Sequence, residues 1–114
     1  MPTILVVDDE PTIRDLVSRV LERHGYRVVA CSTAAEAVRV AQDADLLLVD
    51  LILSDGSGRE LIQNLRRDRP DLPVVLMSGY PPLADYTPGP PAAFLQKPMR
   101  PAAVIEAISK LIGR

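Results

Sequence analysis

Four short apolar runs in this chain each end on a reactive polar residue. Ile4-Leu5-Val6-Val7 leads into Asp8-Asp9, Leu46-Leu47-Leu48-Val49 into Asp50, Val74-Val75-Leu76-Met77 into Ser78, and Phe94-Leu95-Gln96 into Lys97. Between the runs lie longer stretches of helical period. Such alternation argues for a parallel sheet covered on both faces. If the strands are parallel, the five reactive side chains gather at the carboxyl edge of the sheet, where open α/β sheets bind ligands. Three carboxylates, a hydroxyl and an ammonium are hard to explain there as packing. Together they read as a site for a divalent cation and a phosphoryl group.

Local signals place the elements. The first strand covers Thr3 to Val7, and the first helix starts near Asp9 with Pro11 in its first turn. Its apolar stripe is Ile13, Leu16, Val17, Val20 and Leu21, and Gly25 stops it. Tyr26 to Ala30 is the second strand. Thr33-Ala34-Ala35-Glu36 forms a capping box for a second helix that buries Ala37, Val38 and Ala41. The third strand, Asp45 to Val49, is nearly continuous in apolar residues, as a central parallel strand should be. A Gly-rich loop, Ser54 to Gly58, follows. Ser57 and Glu60 then cap a third helix presenting Leu61, Ile62 and Leu65. Pro70 and Pro73 bracket the turn into strand four, Val74 to Met77. Strand five is Ala93 to Gln96. The last helix starts at Pro101, behind Arg100, which offers no cap, and buries Val104, Ile105, Ile108, Leu111 and Ile112.

One segment breaks the rhythm. Gly79 to Ala93 holds five of the 11 prolines, and each interior proline costs a helix roughly 3 kcal/mol. The only proline-free window there, Leu83 to Thr87, allows at most one turn. The fourth helix is therefore expected to be shortened or absent. Tyr80 and Tyr86 in this segment read equally as loop anchors or partner contacts.

Size and charge narrow the function. The 114 residues fit a single domain, 1–114, with one core, and a composition 47% hydrophobic and 25% charged is ordinary for a globular chain. A net charge of −2 suggests no electrostatic grip on nucleic acid. No run approaches the ~18 apolar residues of a membrane span, and no basic segment precedes the first apolar stretch as in a signal peptide. A cytoplasmic setting is expected. Cys31 is the only cysteine, which excludes an internal disulfide and a cysteine zinc cage. It reads as a small buried apolar residue. His24 is the only histidine, which excludes zinc held by a histidine cluster. It is expected at the exposed end of the first helix, where a cation suits the dipole.

With VVDDEP at Val6 to Pro11, LLLVDLILSDGSG at Leu46 to Gly58, LMSG at Leu76 to Gly79 and FLQKP at Phe94 to Pro98, the chain resembles the receiver domain of bacterial two-component response regulators over nearly its whole length. The phrases MSGY and FLQKP also resemble receivers attached to hybrid histidine kinases. The resemblance implies a flavodoxin-like, doubly wound sheet of order 2-1-3-4-5. It makes Asp50 the phosphoacceptor, attacking a phosphohistidine on a histidine kinase or phosphotransfer protein. It makes Asp8, Asp9, Asp50 and the backbone carbonyl of Ile52 the ligands of Mg²⁺, which favours few carboxylates, several waters and a phosphate. Lys97 would pair with a phosphoryl oxygen. Ser78 and Phe94 would form the switch, Phe94 acting by packing because it lacks a hydroxyl. A cis Lys97-Pro98 bond is also implied. Two departures stand out. Ser54 sits where the family often has proline, and the proline-rich segment replaces part of the usual output face.

Other readings compete. Asp8 or Asp9 could cap the first helix, Ser78-Gly79 is a common turn dipeptide, and Phe94 could be plain core. At the level of function, a receiver that only phosphorylates itself and slowly dephosphorylates competes with two others. One is an interaction module that has lost its switch, for which the altered segment speaks. The other is an Mg²⁺-dependent hydrolase with Asp8 as nucleophile, which lacks the usual D-x-D motif and a cap domain. The receiver is expected to be a monomer or weak dimer, without contact to nucleic acid or membrane by this domain.

Overall fold

The structure is a computed structural model, and residues 1–79 and 88–113 are described. Five parallel strands, β1 (Thr3–Val7), β2 (Arg27–Cys31), β3 (Leu46–Asp50), β6 (Val74–Ser78) and β7 (Ala92–Gln96), form one sheet. A small antiparallel hairpin, β4 (Ile52–Leu53) and β5 (Gly56–Ser57), follows β3 directly. The sheet order is β2-β1-β3-β6-β7. With the hairpin set aside, that is the 2-1-3-4-5 order implied by the resemblance. The expected shortened fourth helix, and Tyr80 and Tyr86, lie outside the described residues.

Alternation along the strands divides the core. Ile4, Val6, Leu46, Leu48, Val75 and Met77 face α1 (Pro11–Arg23) and α4 (Pro101–Ile112). Leu5, Val7, Leu47, Val49, Val74 and Leu76 face α2 (Ala34–Val40) and α3 (Gly58–Asp68). Successive side chains point to opposite faces, so a run that is apolar throughout satisfies two helical layers at once. β3 ends on Asp50 and β6 on Ser78, one residue later than the apolar runs suggest. Both polar groups are thus held by the ladder itself.

Two residues expected in the core are outside it. Leu16 is 53% exposed and Val38 is 41% exposed. α1 seats Val17 and Leu21 on the sheet, leaving Leu16 at the rim of a groove against α4. α2 has only seven residues and buries just Ala37, so Val38 falls at the edge of the gap to α3. Neither Asp8 nor Asp9 is the N-cap of α1; Glu10 occupies that position, without a side-chain hydrogen bond. Arg100 likewise precedes α4 without capping it, as expected, and Gly113 ends that helix in the left-handed region at φ 75°. His24 is exposed just past α1, its ring stacked 5.6 Å from that of Tyr26.

Long-range side-chain bonds to backbone tie the layers. Arg66 on α3 donates to the carbonyls of Leu72, Gly89 and Pro91 at 2.6–3.1 Å, clamping α3 to the start of β7. Asp55, at the tip of the hairpin, accepts from Ala34 N–H (2.9 Å) and Ala35 N–H (3.1 Å) at the start of α2. Thr33 accepts from Glu36 N–H in the same turn, so the capping box and Asp55 together satisfy the helix start. The bonds from Ala34 and Ala35 hold the Asp55 carboxyl below its ordinary 3.8. A depressed folded value means that its stabilisation is present above pH 3.8 and is lost as pH falls through the lowered value. In urea titrations, Asp55→Ala should therefore be less stable than the parent at neutral pH, and the gap should close in acid. A gap that persists below the folded pKa would show that the carboxylate charge is not what holds the hairpin.

Candidate functional site

The carboxyl ends of β1, β3 and β7 meet around one ammonium group. Lys97 Nζ donates to Asp50 Oδ2 at 2.6 Å and to Asp8 Oδ2 at 3.0 Å, and lies 3.7 Å from Glu10 Oε1. The chain folds this way locally because β1 hands Asp8 into a tight turn, where its Oδ1 accepts the Glu10 N–H at 2.9 Å. That bond, rather than a helix cap, is what Asp8 contributes to the start of α1. At the end of β3, Asp50 Oδ1 accepts the Ile52 N–H at 3.2 Å, placing the Ile52 backbone beside the carboxylate. The Lys97-Pro98 bond is cis, as expected.

Burial sharpens the electrostatics. Asp8 is 0% and Asp50 8% exposed. Burial works against the charge on Lys97, but hydrogen bonds and Coulomb attraction to Asp50 and Asp8 outweigh it and raise its pKa above the ordinary 10.5. One cation faces several acids. Asp8, Asp9 and Asp50 each offer an oxygen within 4.8 Å of the others. A clustered set of hard oxygen donors, short of positive charge and with Asp9 reaching solvent, fits Mg²⁺. The sequence thus brought Asp8, Asp9, Asp50 and Lys97 to one place.

Ser78 is buried at the end of β6, 2% exposed, and its carbonyl accepts the Lys97 N–H at 2.7 Å. Its strand neighbour Met77 pairs with Asp50. Phe94 pairs with Leu76 and packs, half-buried, against the α2–α3 side of the core. By alternation Ser78 and Phe94 share that side of the sheet. Cys31 is buried, and its thiol is pushed above 9.0 first by burial and then by Glu36, against the pull of Arg14 and Arg39. An inert packing role fits it.

Three participants were not anticipated. Glu10 lies near Lys97, Arg14 bonds the Asp8 carbonyl, and Gly58 abuts the end of β3. A Cβ at Gly58 would fall on the Asp50 carbonyl oxygen and 3.1 Å from Leu51 Cα, both backbone and unable to yield cheaply. A glycine at the start of a helix was the only signal. Gly58→Ala should cost about 1–3 kcal/mol of stability through overpacking and shift Asp50 relative to Lys97. Urea unfolding and the Lys97 side-chain NMR shift check this; an unperturbed variant would mean that the loop has slack.

Residues 4–109 match the family described as response regulator receiver domain. TcrX, a probable transcriptional regulatory protein of Mycobacterium tuberculosis, is 31% identical over 111 residues, covering 96% of this chain and 47% of its own. The solved CheY-like receiver domain protein from Methanospirillum hungatei JF-1 is 30% identical with TM-score 0.86, over 96% of this chain and 92% of that one. The receiver domain of the hybrid histidine kinase CckA is 28% identical with TM-score 0.84, over 96% of this chain and 98% of that one. The chain spans about half or less of the curated relatives it matches. Among the described residues, no helix is long and apolar enough to cross a membrane.

Proposed function

Because this chain belongs to the response regulator receiver domain family, we propose that it takes a phosphoryl group from a histidine kinase or phosphotransfer protein onto Asp50. The family's role is phosphoacceptance in two-component signalling. The observation that carries the residue assignments is Lys97 bridging Asp8 and Asp50 at the strand ends, beside the Asp9 carboxylate.

A carboxylate oxygen of Asp50 attacks phosphorus, a P–O bond forms, and the P–N bond to the donor histidine breaks with the electron pair leaving to the imidazole. Asp8, Asp9, Asp50 and the Ile52 carbonyl would hold Mg²⁺, which when bound offsets charge on the carboxylates and the phosphoryl oxygens. Lys97, already charged and poised on Asp50, transfers its hydrogen bond to a phosphoryl oxygen. The new group adds about two negative charges. Ser78 then offers its hydroxyl to that group, and Phe94 repacks on the same side of the sheet. No turnover of a free substrate is assigned. Acetyl phosphate with Mg²⁺ should give a covalent, alkali-labile phosphoryl adduct; a chain that gains none would sink this reading.

An apolar groove between α1 and α4, lined by Ile13, Leu16, Val17, Met99 and Val104 and opening beside Lys97, supports a docking surface for the donor protein. It offers apolar surface next to the lysine that faces Asp50. Leu16 is exposed, so Leu16→Asp should fold normally. It should slow transfer from a phosphorylated donor protein by about tenfold, or 1.4 kcal/mol, and leave labelling by acetyl phosphate unchanged. Equal effects on both donors, or none, would move the docking surface elsewhere.

A further inference from the structure

We propose that Arg14 is a positioning residue for the cation-binding carboxylates, acting through the backbone of Asp8; this rests on the phosphoacceptor reading above. Every polar group of Asp8 is engaged. Its N–H donates to the Cys31 carbonyl (3.1 Å), Oδ1 accepts from Glu10 N–H (2.9 Å), Oδ2 accepts from Lys97 (3.0 Å), and its carbonyl accepts from Arg14 Nη1 (2.8 Å). The two carboxylate bonds use lone pairs that a cation would draw on, and Lys97 is the group that turns to the phosphoryl oxygen. The Arg14 bond spends no carboxylate lone pair. Neither cation binding nor phosphoryl uptake needs to break it.

That bond also reaches the next acid. A peptide unit is planar from one Cα to the next, so fixing the Asp8 carbonyl fixes the plane that carries Asp9. The Asp9 carboxylate has no hydrogen-bond partner among the described residues, and its placement depends on that backbone. Arg14 is well anchored for this, since its own N–H is bonded to the Glu10 carbonyl at 3.0 Å.

Helix dipole and bound cation both work against an arginine here, while the neighbouring acids favour one. Arg14 sits near the N-terminus of α1, where the dipole favours negative charge, and the first turn of α1 holds no acid to offset it. A guanidinium beside a cation site also repels the cation. Both effects oppose this residue; the neighbouring acids and the bond to Asp8 are set against them.

The two roles of Arg14, charge and position, predict opposite results. Arg14→Lys keeps the charge but loses the planar fork; Arg14→Met loses both. Mg²⁺ binding to the unphosphorylated chain is measured by calorimetry, and the Mg²⁺ concentration for half-maximal acetyl phosphate labelling alongside it. Positioning predicts that both variants bind Mg²⁺ about tenfold more weakly, with labelling midpoints raised in parallel and rates at saturating Mg²⁺ changed far less. Thermal unfolding in chelator checks that both variants are folded. Tighter Mg²⁺ binding by Arg14→Met, or unchanged affinity in both variants, overturns the proposal while leaving the phosphoacceptor reading intact. A parent chain that binds Mg²⁺ yet takes no phosphoryl group would overturn that reading and leave the positioning role standing.

Discussion

Asp50→Ala is expected to abolish phosphoryl uptake from acetyl phosphate in the presence of Mg²⁺. Without a carboxylate at this position no oxygen lies at the end of the central strand to attack phosphorus, and positioning cannot replace a missing nucleophile. The fall should exceed about a thousandfold, or 4 kcal/mol in the barrier. Asp8 is the one alternative nucleophile, and its surroundings argue against it. Each carboxylate has one oxygen on a backbone N–H and the other on Lys97, but Asp8 is fully buried whereas Asp50 keeps some exposure. Asp8→Asn should therefore slow labelling chiefly by weakening Mg²⁺ binding, with the residual label still on Asp50. Intact-mass measurement with peptide mapping separates the cases. Label that survives Asp50→Ala and disappears in Asp8→Asn would reverse the assignment and favour a hydrolase.

Lys97→Met should have the next largest effect, on both chemistry and stability. The Lys97 side chain is 12% exposed and that of Asp50 11%, so this ion pair is largely withdrawn from water. Removing one partner of a buried pair leaves charge without compensation, a loss of about 3–5 kcal/mol when burial is complete. With some solvent still present, about 2–3 kcal/mol is expected here. The loss should shrink when Mg²⁺ is added, because a cation can stand in as counter-charge to the acids. Labelling by acetyl phosphate should fall about a hundredfold or more, as when a preorganised donor to developing charge is lost. Urea titrations with and without Mg²⁺ provide the check. A variant as stable as the parent in chelator would mean that Asp8 and Asp50 are not held as a charged pair.

Much of this site was legible from the chain alone because the relevant information is local. A strand rises residue by residue, so an apolar run states which residue stands at its end. Period-two alternation then states which side chains share a face. Asp8, Asp50, Ser78 and Lys97 could be placed on one edge by those two facts and the parallel order. Boundaries slipped by a single residue at β3 and β6, where the polar terminal residue still pairs in the ladder. Leu16 and Val38 were misplaced for a different reason. Helical period identifies an apolar stripe, but how much of its width is covered depends on where the neighbouring helix lies.

What tertiary structure alone decided has a common form. Asp55 on the N–H groups of Ala34 and Ala35, Arg66 on the carbonyls of Leu72, Gly89 and Pro91, Arg14 on the Asp8 carbonyl, and Gly58 against the Asp50 backbone all join a residue to main chain. Every residue carries the same carbonyl, and nearly every one the same N–H. A side chain therefore announces that it needs such a group without saying whose. The acids and the lysine at the strand ends were different, because their charges identify one another. The chain's pattern was enough to gather the reactive groups; only the packed fold could say which pieces of backbone hold them in place.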